Sequence, residues 1–585
     1  MSIEMRRARN RQMLIFMLVC VGMLVLLSRL YYWQVLPAPG GHNLAQLANA
    51  EHTQNEVLNA PRGLIYDAQG HILATNVVRD DVYVEPIQFA TDFADTFDRD
   101  LASLIQKLHS VLPNVSEDFL NKVFHSSVQT QRIAIRIDPG QSEKLHSMHL
   151  PDTFLEPRTW RVYPGGDLAA QVLGYVNGGE NKGYYGIEGQ YNTLLAGKPG
   201  SFITETDLSG NPLVVGNSAE QPAVNGADLT LTINSAIQYQ VQVALAAKVQ
   251  ELHAQSGTAL VLNARTGEIV AMAGAPTFDP NHYSDAYNTK GCLGQESVYF
   301  NPALYCSYEP GSTMKAVTMA AALDQGLITP DTSFNDPGYI KFNDADIIHN
   351  WAGLSYGTET MTQVLIHSAN VGAAWVAHEK LGKDRYYPYL TKFGFGKVTG
   401  IADGPEYSGF YRTPSSADWS ISDLTRQAFG QSIQATPLQL AMAYEAIAND
   451  GKMMRPCLIH SIANNGQIMT TPFQVEQQVI SASAAHQLTT MLTRAAIDGS
   501  AQKALVPGYT IAAKTGTATT QGLASDETEA SVAGFIPASN PQFVILVKID
   551  RPQDIIYGGT AAAPLWKLIA EQLMWYYHVP PDAVS

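Results

Sequence analysis

Cysteine is scarce in this chain, with four residues in 585. Small domains held together by disulfides need a far higher density, so this fold must depend on buried apolar cores. Charged residues are also few, at 15%, and the net charge of −16 argues against non-specific binding to nucleic acid, which needs a basic face. A hydrophobic fraction of 45% excludes a disordered chain. The length suits about three or four domains.

One long apolar run stands out, near the N-terminus. Four arginines between residues 6 and 11 precede an uncharged run at residues 12–28, and an aromatic cluster follows at residues 31–33. This pattern is typical of a signal peptide or of an uncleaved anchor. We favour a single-pass anchor, because Arg29 can snorkel and the aromatic cluster suits the far membrane interface. The positive-inside rule then predicts a short cytoplasmic tail and an extracytoplasmic chain after about residue 37.

The cysteines leave one question open. Cys20 lies in the apolar run and Cys457 stands alone, whereas Cys292 and Cys306 are close enough in sequence to form a bridge in an oxidising compartment. Spacing alone does not give the Cα geometry that a disulfide needs. Two reduced, buried thiols therefore remain an equal alternative.

Composition divides the chain into three parts. Residues 36–41 and 216–226 have the composition of linkers. The region between them mixes short strand-like and helical stretches and contains no obvious acid/base or metal cluster. We therefore expect a tail and anchor at 1–36, a mixed domain at 37–220 and a larger domain at 221–585.

The larger domain has the pattern of an antiparallel sheet. After a strand-like alternating stretch at 229–233, a hairpin is predicted early in the domain and three further strands late. Helical sequence lies between the early and late strands and at both ends, at about 235–254 and 563–575. The strand candidates are 258–262, 268–272, 509–517, 531–536 and 543–550. We predict an α/β fold of the α+β kind, with a five-stranded antiparallel sheet flanked by helices and a helical insertion between its early and late strands.

Ser312 and Lys315 form the first motif that carries chemistry. Pro310 and Gly311 fit the start of a helix, which an apolar stretch continues until Gly326. Residues i and i+3 share a helix face, so Lys315 can reach the Ser312 hydroxyl. Desolvation by the apolar helix would lower the pKa of the lysine and let it act as a base.

S-x-x-K alone is a weak signal. A second copy of S-x-x-K runs from Ser500 to Lys503, and we interpret these two residues as a solvated serine and lysine. S-x-N also has a second match, at 209–211, which we call the S-x-N decoy. Ser312 is distinguished by the two motifs that follow it in order along the chain. Ser368-Ala369-Asn370 comes first, and Lys514-Thr515-Gly516-Thr517 comes later. Lys-Thr-Gly occurs once in the chain.

Acyl transfer needs these residue types. It needs an activated nucleophile (Ser312), a base (Lys315), a proton relay to the leaving amine (Ser368) and an amide that holds the substrate backbone (Asn370). A terminal carboxylate needs a cation and hydroxyl groups, which Lys514, Thr515 and Thr517 can supply, and Gly516 allows close approach of a substrate backbone. The backbone N–H groups of Ser312 and Thr517 would form the oxyanion hole.

The ordered set of S-x-x-K, S-x-N and K-T-G is the known signature of penicillin-binding proteins and class A β-lactamases. From about residue 60 to 575 the chain resembles a class B penicillin-binding protein, a monofunctional D,D-transpeptidase of the cell wall. Further segments match the family's motifs, although Ala68 stands where the family usually has arginine. These segments are 62–70, 161–165, 186–189, 278–281, 429–431 with 436–439, and 557–564.

The resemblance implies a pedestal, or dimerisation, domain followed by a transpeptidase domain. It implies an acyl-enzyme on Ser312 formed with peptidoglycan stem peptides, and covalent inhibition by β-lactams. It also implies a polytopic glycosyltransferase partner of the shape, elongation, division and sporulation type. No cofactor and no metal are expected; His146 and His149 lack a supporting ligand cluster, and His367 is interpreted as a packing or surface residue.

Four other functions remain as alternatives. A class A β-lactamase would need a Glu-x-x-Leu-Asn loop between S-x-N and K-T-G, and the sequence has none there. A β-lactam sensor would need several membrane segments. A bifunctional synthase would need a glycosyltransferase domain, for which residues 37–60 are too short. A division scaffold without activity is disfavoured because every catalytic position is intact.

Overall fold

The computed structural model describes residues 3–34, 53–178, 180–206, 218–294, 296–342, 346–401, 406–519, 527–553 and 555–583. The linker expected at 36–41 and the S-x-N decoy at 209–211 lie outside these residues. The chain divides into two compact units, one formed by Met1–Pro61 with Gly197–Asn225 and the other by Arg62–Ala196 with Gly226–Ser585.

The first unit contains a long helix and a small sheet. The helix, Ile3–Gln34, includes the segment Arg7–Tyr32, which is long and apolar enough to cross a membrane. The sheet is antiparallel, with Gly200–Glu205 between Thr53–Leu58 and Ser218–Gln221. The exposed apolar side chains of the helix fit a single-pass membrane anchor.

The second unit begins with a mixed region built on a long strand, Ile72–Val84, which pairs with Thr153–Val162. Helix Phe97–Val111 packs on this region through Leu101, Leu104, Ile105 and Leu108, at the i, i+3, i+4, i+7 spacing of an amphipathic helix. The other strands are Ile65–Tyr66, Gln131–Ala134, Tyr175–Asn177 and Lys182–Tyr184; the other helices are Pro86–Asp92, Glu117–Phe124, Pro139–Met148, Ala170–Leu173, Gly186–Gln190 and Asn192–Ala196.

Three of the sequence motifs meet in this region. Arg62 Nε donates to Glu188 Oε2 at 2.7 Å, and Arg161 Nε donates to Glu188 Oε1 at 2.6 Å. All three side chains are buried. Arg161 also donates to the carbonyl of Gly63 at 2.8 Å. One buried carboxylate therefore ties together the segments that begin at residues 62, 161 and 186.

The five-stranded antiparallel sheet is present as predicted. Its strands are β1 (Ser256–Asn263), β2 (Ile269–Ala275), β3 (Ala512–Ala518), β4 (Glu529–Ile536) and β5 (Phe543–Asp550). They lie in the order β2-β1-β5-β4-β3, and every pair is antiparallel. The strand expected at 229–233 is Asp228–Leu231, and it belongs to another sheet, where it pairs with Ile65–Tyr66 and Ile459–Asn464.

Both faces of this sheet are covered. Side chains of β1 alternate between two cores, with Leu260 and Leu262 in one and Ala259 and Val261 in the other. Because both faces are buried, the strands are continuously apolar and lack a polar side. The terminal helices expected on sequence grounds are Ser235–Glu251 and Ala563–Tyr576, and they pack on the same core as Ala259.

The helical insertion lies between β2 and β3. Its α-helices are Pro302–Tyr305, Lys315–Asp324, Met361–His367, Asn370–Trp375, Gly382–Lys392, Ile421–Gln427, Pro437–Ala448 and Ala482–Asp498, and Gly558–Ala561 follows β5. Short 3₁₀ and π turns occur at Pro280–Ala286, Cys292–Gly294, Gly311–Met314, Trp351–Gly353, Val376–Leu381 and Gln502–Ala504. Its short strands are Ser333–Asp336, Tyr339–Ile340, Ile348–His349, Gly357–Thr360, Phe410–Tyr411, Ile433–Gln434, Lys452–Met454, Ile459–Asn464, Gln467–Thr470 and Val475–Gln478.

The question of the cysteine pair is answered by the structure. Cys292 and Cys306 form a disulfide, with their Cα atoms 6.0 Å apart. Cys20 and Cys457 are free thiols. Such bridges are typical of proteins in oxidising compartments.

Candidate active site

Ser312 lies in a single 3₁₀ turn, Gly311–Met314, which leads directly into helix Lys315–Asp324. Neighbouring segments hold this turn in place. Gly311 N donates to the carbonyl of Gly430 at 3.0 Å, and the Tyr444 hydroxyl donates to the carbonyl of Thr313 at 2.9 Å. The predicted i, i+3 contact is present: Lys315 Nζ donates to Ser312 Oγ at 2.9 Å.

The amine of Lys315 is the centre of the site. Besides Ser312, it faces the Ser368 carbonyl at 2.5 Å, Ser368 Oγ at 3.2 Å and Asn370 Oδ1 at 2.8 Å. An ammonium group has three N–H donors for these four oxygens. The motifs S-x-x-K and S-x-N, which are far apart in sequence, thus meet at one nitrogen atom.

The surroundings of Lys315 favour its neutral form. The residue is completely buried, and burial lowers the pKa of its amine well below the usual range. The positive charge of Lys514 lowers the pKa further, whereas Glu359 acts in the opposite direction. A neutral amine next to a serine hydroxyl can accept its proton.

Ser368 lies between two lysines. Its hydroxyl faces Lys315 Nζ on one side and accepts a hydrogen bond from Lys514 Nζ at 3.0 Å on the other. Ser368 adopts a left-handed conformation, with φ 57°, where helix Met361–His367 ends and before Asn370–Trp375 begins. The amide of Asn370 donates to the His349 carbonyl at 3.2 Å.

Lys514, Thr515 and Thr517 lie on the edge strand β3. Burial lowers the pKa of Lys514 to about 7. Thr515 Oγ1 is hydrogen-bonded to Ser500 Oγ, and Thr517 Oγ1 accepts from Gly558 N at 3.1 Å. The strand therefore carries an amine that contacts Ser368 and two hydroxyl groups that contact Ser500 and Gly558.

Gly516 has a packing role that the sequence did not reveal. A Cβ atom at this position would lie 2.6 Å from the carbonyl oxygen of Pro310 and 2.6 Å from Ser531 Oγ. The missing side chain thus lets β3 approach the turn that carries Ser312. Whether a substrate backbone also passes close to this glycine stays a prediction.

Sequence reasoning assigned no role at the site to three residues that lie beside it. Ser500 and Lys503 are exposed, as expected of the second S-x-x-K copy, and the Ser500 hydroxyl also contacts Thr515. Glu359 lies in no recognised motif, and His367 was interpreted as a packing or surface residue. Glu359 Oε2 is 2.9 Å from His367 Nδ1, immediately before Ser368 in the chain. Only the adjacency of His367 to the S-x-N motif could have signalled this pair.

Comparison with known proteins matches two domain families to this chain. The model of the penicillin-binding protein transpeptidase domain matches residues 257–574, and that of the penicillin-binding protein dimerisation domain matches residues 57–231. The chain is 31% identical to penicillin-binding protein PbpB of Mycobacterium tuberculosis, covering 96% of this chain and 85% of that protein. It is 28% identical to peptidoglycan D,D-transpeptidase FtsI of Escherichia coli, covering 97% and 93% respectively.

A solved structure is similar over almost the same length. The crystal structure of penicillin-binding protein 3 from Mycobacterium tuberculosis in complex with aztreonam has a TM-score of 0.67 and 28% identity, and the match covers 90% of this chain and 98% of that one. Sequence motifs, fold and relatives agree. The chain therefore belongs to the class B penicillin-binding proteins, the family of peptidoglycan D,D-transpeptidases.

Proposed function

We propose that this protein cross-links peptidoglycan stem peptides through an acyl-enzyme on Ser312. The observation that carries the proposal is the contact between Ser312 Oγ and Lys315 Nζ, at 2.9 Å, in a setting that lowers the pKa of the lysine. A serine is a weak nucleophile unless a base removes its proton, and Lys315 is the base in contact with it.

In the acylation step, Ser312 Oγ attacks the carbonyl carbon of the penultimate D-Ala, and its proton passes to Lys315. The oxyanion would be held by the N–H groups of Ser312 and Thr517; one such donor is worth about 10²–10³ in rate. The C–N bond then breaks, and D-Ala leaves with a proton delivered through Ser368. Ser312 is left as an ester of the stem peptide.

In the second step an amine of a neighbouring stem attacks that ester. The amine loses a proton to the Lys315–Ser368 pair, a new amide bond forms, and Ser312 regains its hydroxyl. The position of Ser368 between both lysines supports its role as the relay. Its hydroxyl oxygen contacts Lys315, the proposed base, and also Lys514, which is proposed to bind the carboxylate. β-Lactams, as mimics of D-Ala-D-Ala, would acylate the same serine.

Lys514, Thr515 and Thr517 are proposed to bind the terminal carboxylate of the donor stem. An ammonium group beside two hydroxyl groups offers the donors that a carboxylate needs. Asn370 would hold the backbone of the stem through its side-chain amide, and Gly516 would allow that backbone to run alongside β3.

We also propose the division into an anchor at 1–36, a pedestal domain at 37–220 and a transpeptidase domain at 221–585. The charge pattern around the apolar helix supports an extracytoplasmic location for both domains. The family supports a polytopic glycosyltransferase as partner, contacted through the membrane helix and the pedestal, so that new glycan strands meet the transpeptidase.

The test is labelling of the full-length protein in detergent with a fluorescent penicillin, followed by peptide mapping and a chase. We expect a long-lived adduct on Ser312. An adduct on another residue, or no label on folded protein, would refute the proposal. Rapid loss of the label would favour the β-lactamase alternative. Transfer of a D-Ala-D-Ala stem peptide to an amine acceptor then separates transpeptidation from binding alone.

A further inference from the structure

A buried carboxyl group lies beside the proposed catalytic residues but outside their three motifs. Glu359 is on the short strand Gly357–Thr360, which pairs with Ser333–Asp336. Its side chain is 1% exposed. Burying a carboxyl group is costly unless it is hydrogen-bonded, so its partners show what it does there.

His367, one partner of Glu359, is the residue directly before Ser368. Glu359 Oε2 is 2.9 Å from Nδ1 of His367, the last residue of helix Met361–His367. The imidazole ring of His367 also stacks on Tyr356, with ring centroids 4.3 Å apart. Glu359 therefore fixes the residue that directly precedes Ser368, whose left-handed backbone is unfavourable unless its surroundings hold it.

Asp336, the other partner of Glu359, is connected through Asn350 to the residue that follows Asn370. Asp336 lies beside Glu359, and its own oxygens accept from Gly338 N and from Asn350 Nδ2, both at 2.7 Å. Asn350 Oδ1 in turn accepts from Val371 N at 3.0 Å. Glu359 is thus connected to both ends of the turn Ser368-Ala369-Asn370, by His367 on one side and by Asp336 and Asn350 on the other.

The charges around Glu359 favour its protonated form. Burial, the charge of Asp336 and a hydrogen bond to Asp336 raise the pKa of Glu359 to about 8, against the opposite effect of Lys315. The titratable groups facing it are Asp336 on the paired strand, Lys315 and His367 on two helices, and Tyr356 just before its own strand. Among the residues that the structure describes, the buried Glu359 Oε1 has no hydrogen-bond partner, and a charged oxygen in that position would be costly.

We propose that Glu359 is a positioning residue for acyl transfer: as a neutral carboxyl group between Asp336 and His367, it holds the turn that carries Ser368 and Asn370 against Lys315. This inference rests on the proposed function. Ionisation of Glu359 would repel Asp336 and stabilise the ammonium form of Lys315. The protonated acid therefore serves both the geometry of the relay and the neutrality of the base.

The experiment measures the second-order rate constant for acylation by the fluorescent penicillin between pH 6 and 9.5, on full-length protein. Glu359→Gln keeps a neutral group that can donate to Asp336 and accept from His367, whereas Glu359→Leu keeps only apolar volume. His367→Phe keeps the stacking on Tyr356 and loses the hydrogen bond. His486→Phe is the matched control, because His486 makes a similar pair with Asp450, at 2.8 Å, without touching the turn.

We expect Glu359→Gln to acylate within threefold of the wild type at pH 7, Glu359→Leu to lose tenfold or more, and His367→Phe to lose threefold or more. The ratio of the wild-type rate to that of Glu359→Gln should be constant below pH 8 and fall above it. Thermal unfolding of each variant identifies any loss caused by misfolding, and the Gln and Phe variants carry the test if the Leu variant does not fold.

Three results would overturn the inference. The first is an acylation rate of His367→Phe, or of folded Glu359→Leu, that equals the wild-type rate. The second is a loss of acylation rate in Glu359→Gln as large as that in Glu359→Leu. The third is a ratio of the wild-type rate to the Glu359→Gln rate that stays constant through pH 9.5. Failure of the wild type itself to acylate on Ser312 would instead refute the proposed function.

Discussion

The amine of Lys514 donates a hydrogen bond of 3.0 Å to the hydroxyl of Ser368, although the two residues come from different motifs. Since Ser368 Oγ is also 3.2 Å from Lys315 Nζ, one hydroxyl group joins the proposed base to the proposed carboxylate site. A proton leaving Lys315 would therefore have a path towards the leaving group, which we propose to bind on the Lys514 side.

Ser312→Ala should abolish labelling by penicillin and leave the fold unchanged. The substitution removes one oxygen within a short turn, and the hydrogen bonds that fix this turn involve Gly311 and Thr313 instead. Gel fluorescence measures the label, and thermal unfolding serves as the control. Residual label on a folded Ser312→Ala protein would disprove the assignment of the nucleophile.

Ser368→Ala should slow acylation by about 10²–10⁴, the usual contribution of a positioned proton-transfer group. Stopped-flow fluorescence with the same penicillin provides the rate. The Ser500→Ala protein is a suitable comparison, because the Ser500 hydroxyl is hydrogen-bonded to Thr515, on the same strand as Lys514. Equal rates for Ser368→Ala and the wild type would exclude the relay.

The pH profile of acylation should have an upper limb that begins near pH 7. The pKa of Lys514 is lowered to about 7, so above this pH the free protein loses the ammonium group that a carboxylate needs. Each further pH unit should then reduce the apparent affinity for the penicillin by up to about tenfold. Lys514→Arg should remove the fall between pH 7 and 8, because a guanidinium group stays charged at every pH tested, and the fall above pH 8 expected from ionisation of Glu359 should remain. An unchanged limb in this variant would contradict the role of Lys514.

Gly430→Ala should disrupt the turn of the nucleophile. A Cβ atom at Gly430, where φ is +82°, would lie 2.1 Å from the carbonyl oxygen of Gly311. Gly466→Ala is the matched control, since its φ is +78° and nothing lies within 4 Å of the added carbon. We expect acylation by Gly430→Ala to fall tenfold or more below that of Gly466→Ala, and equal rates would show that the contact with Gly311 is unimportant.

Glu188→Leu should destabilise the protein by about 3–5 kcal/mol, because it leaves the buried cations Arg62 and Arg161 without a counter-charge. Glu571→Leu removes the carboxylate of a partly exposed pair with Lys567, and should cost less than about 1 kcal/mol. Denaturant unfolding of both variants provides the comparison. A similar cost for the two would mean that the buried cluster contributes little to stability.

Much of the fold followed from local pattern. The strands β1, β2, β4 and β5 lie close to their expected positions because continuous apolar runs between turn residues are strand signals that need no distant partner. β3 was expected at 509–517 and is Ala512–Ala518, since its beginning depends on pairing with β4. The strand predicted at 229–233, ahead of the hairpin, pairs with Ile459–Asn464 and therefore belongs to another sheet.

By itself, the sequence determined the anchor helix, the five strands and the chemical types at the site, since residue type and short spacing carry that information. The tertiary structure decided what those residues touch. The disulfide between Cys292 and Cys306, the packing of Gly516 on the turn of Ser312, and the placement of Glu359 behind Ser368 all depend on segments brought together by burial of the core. Such contacts leave no periodic signal in the chain, because each joins residues whose separation in sequence is arbitrary.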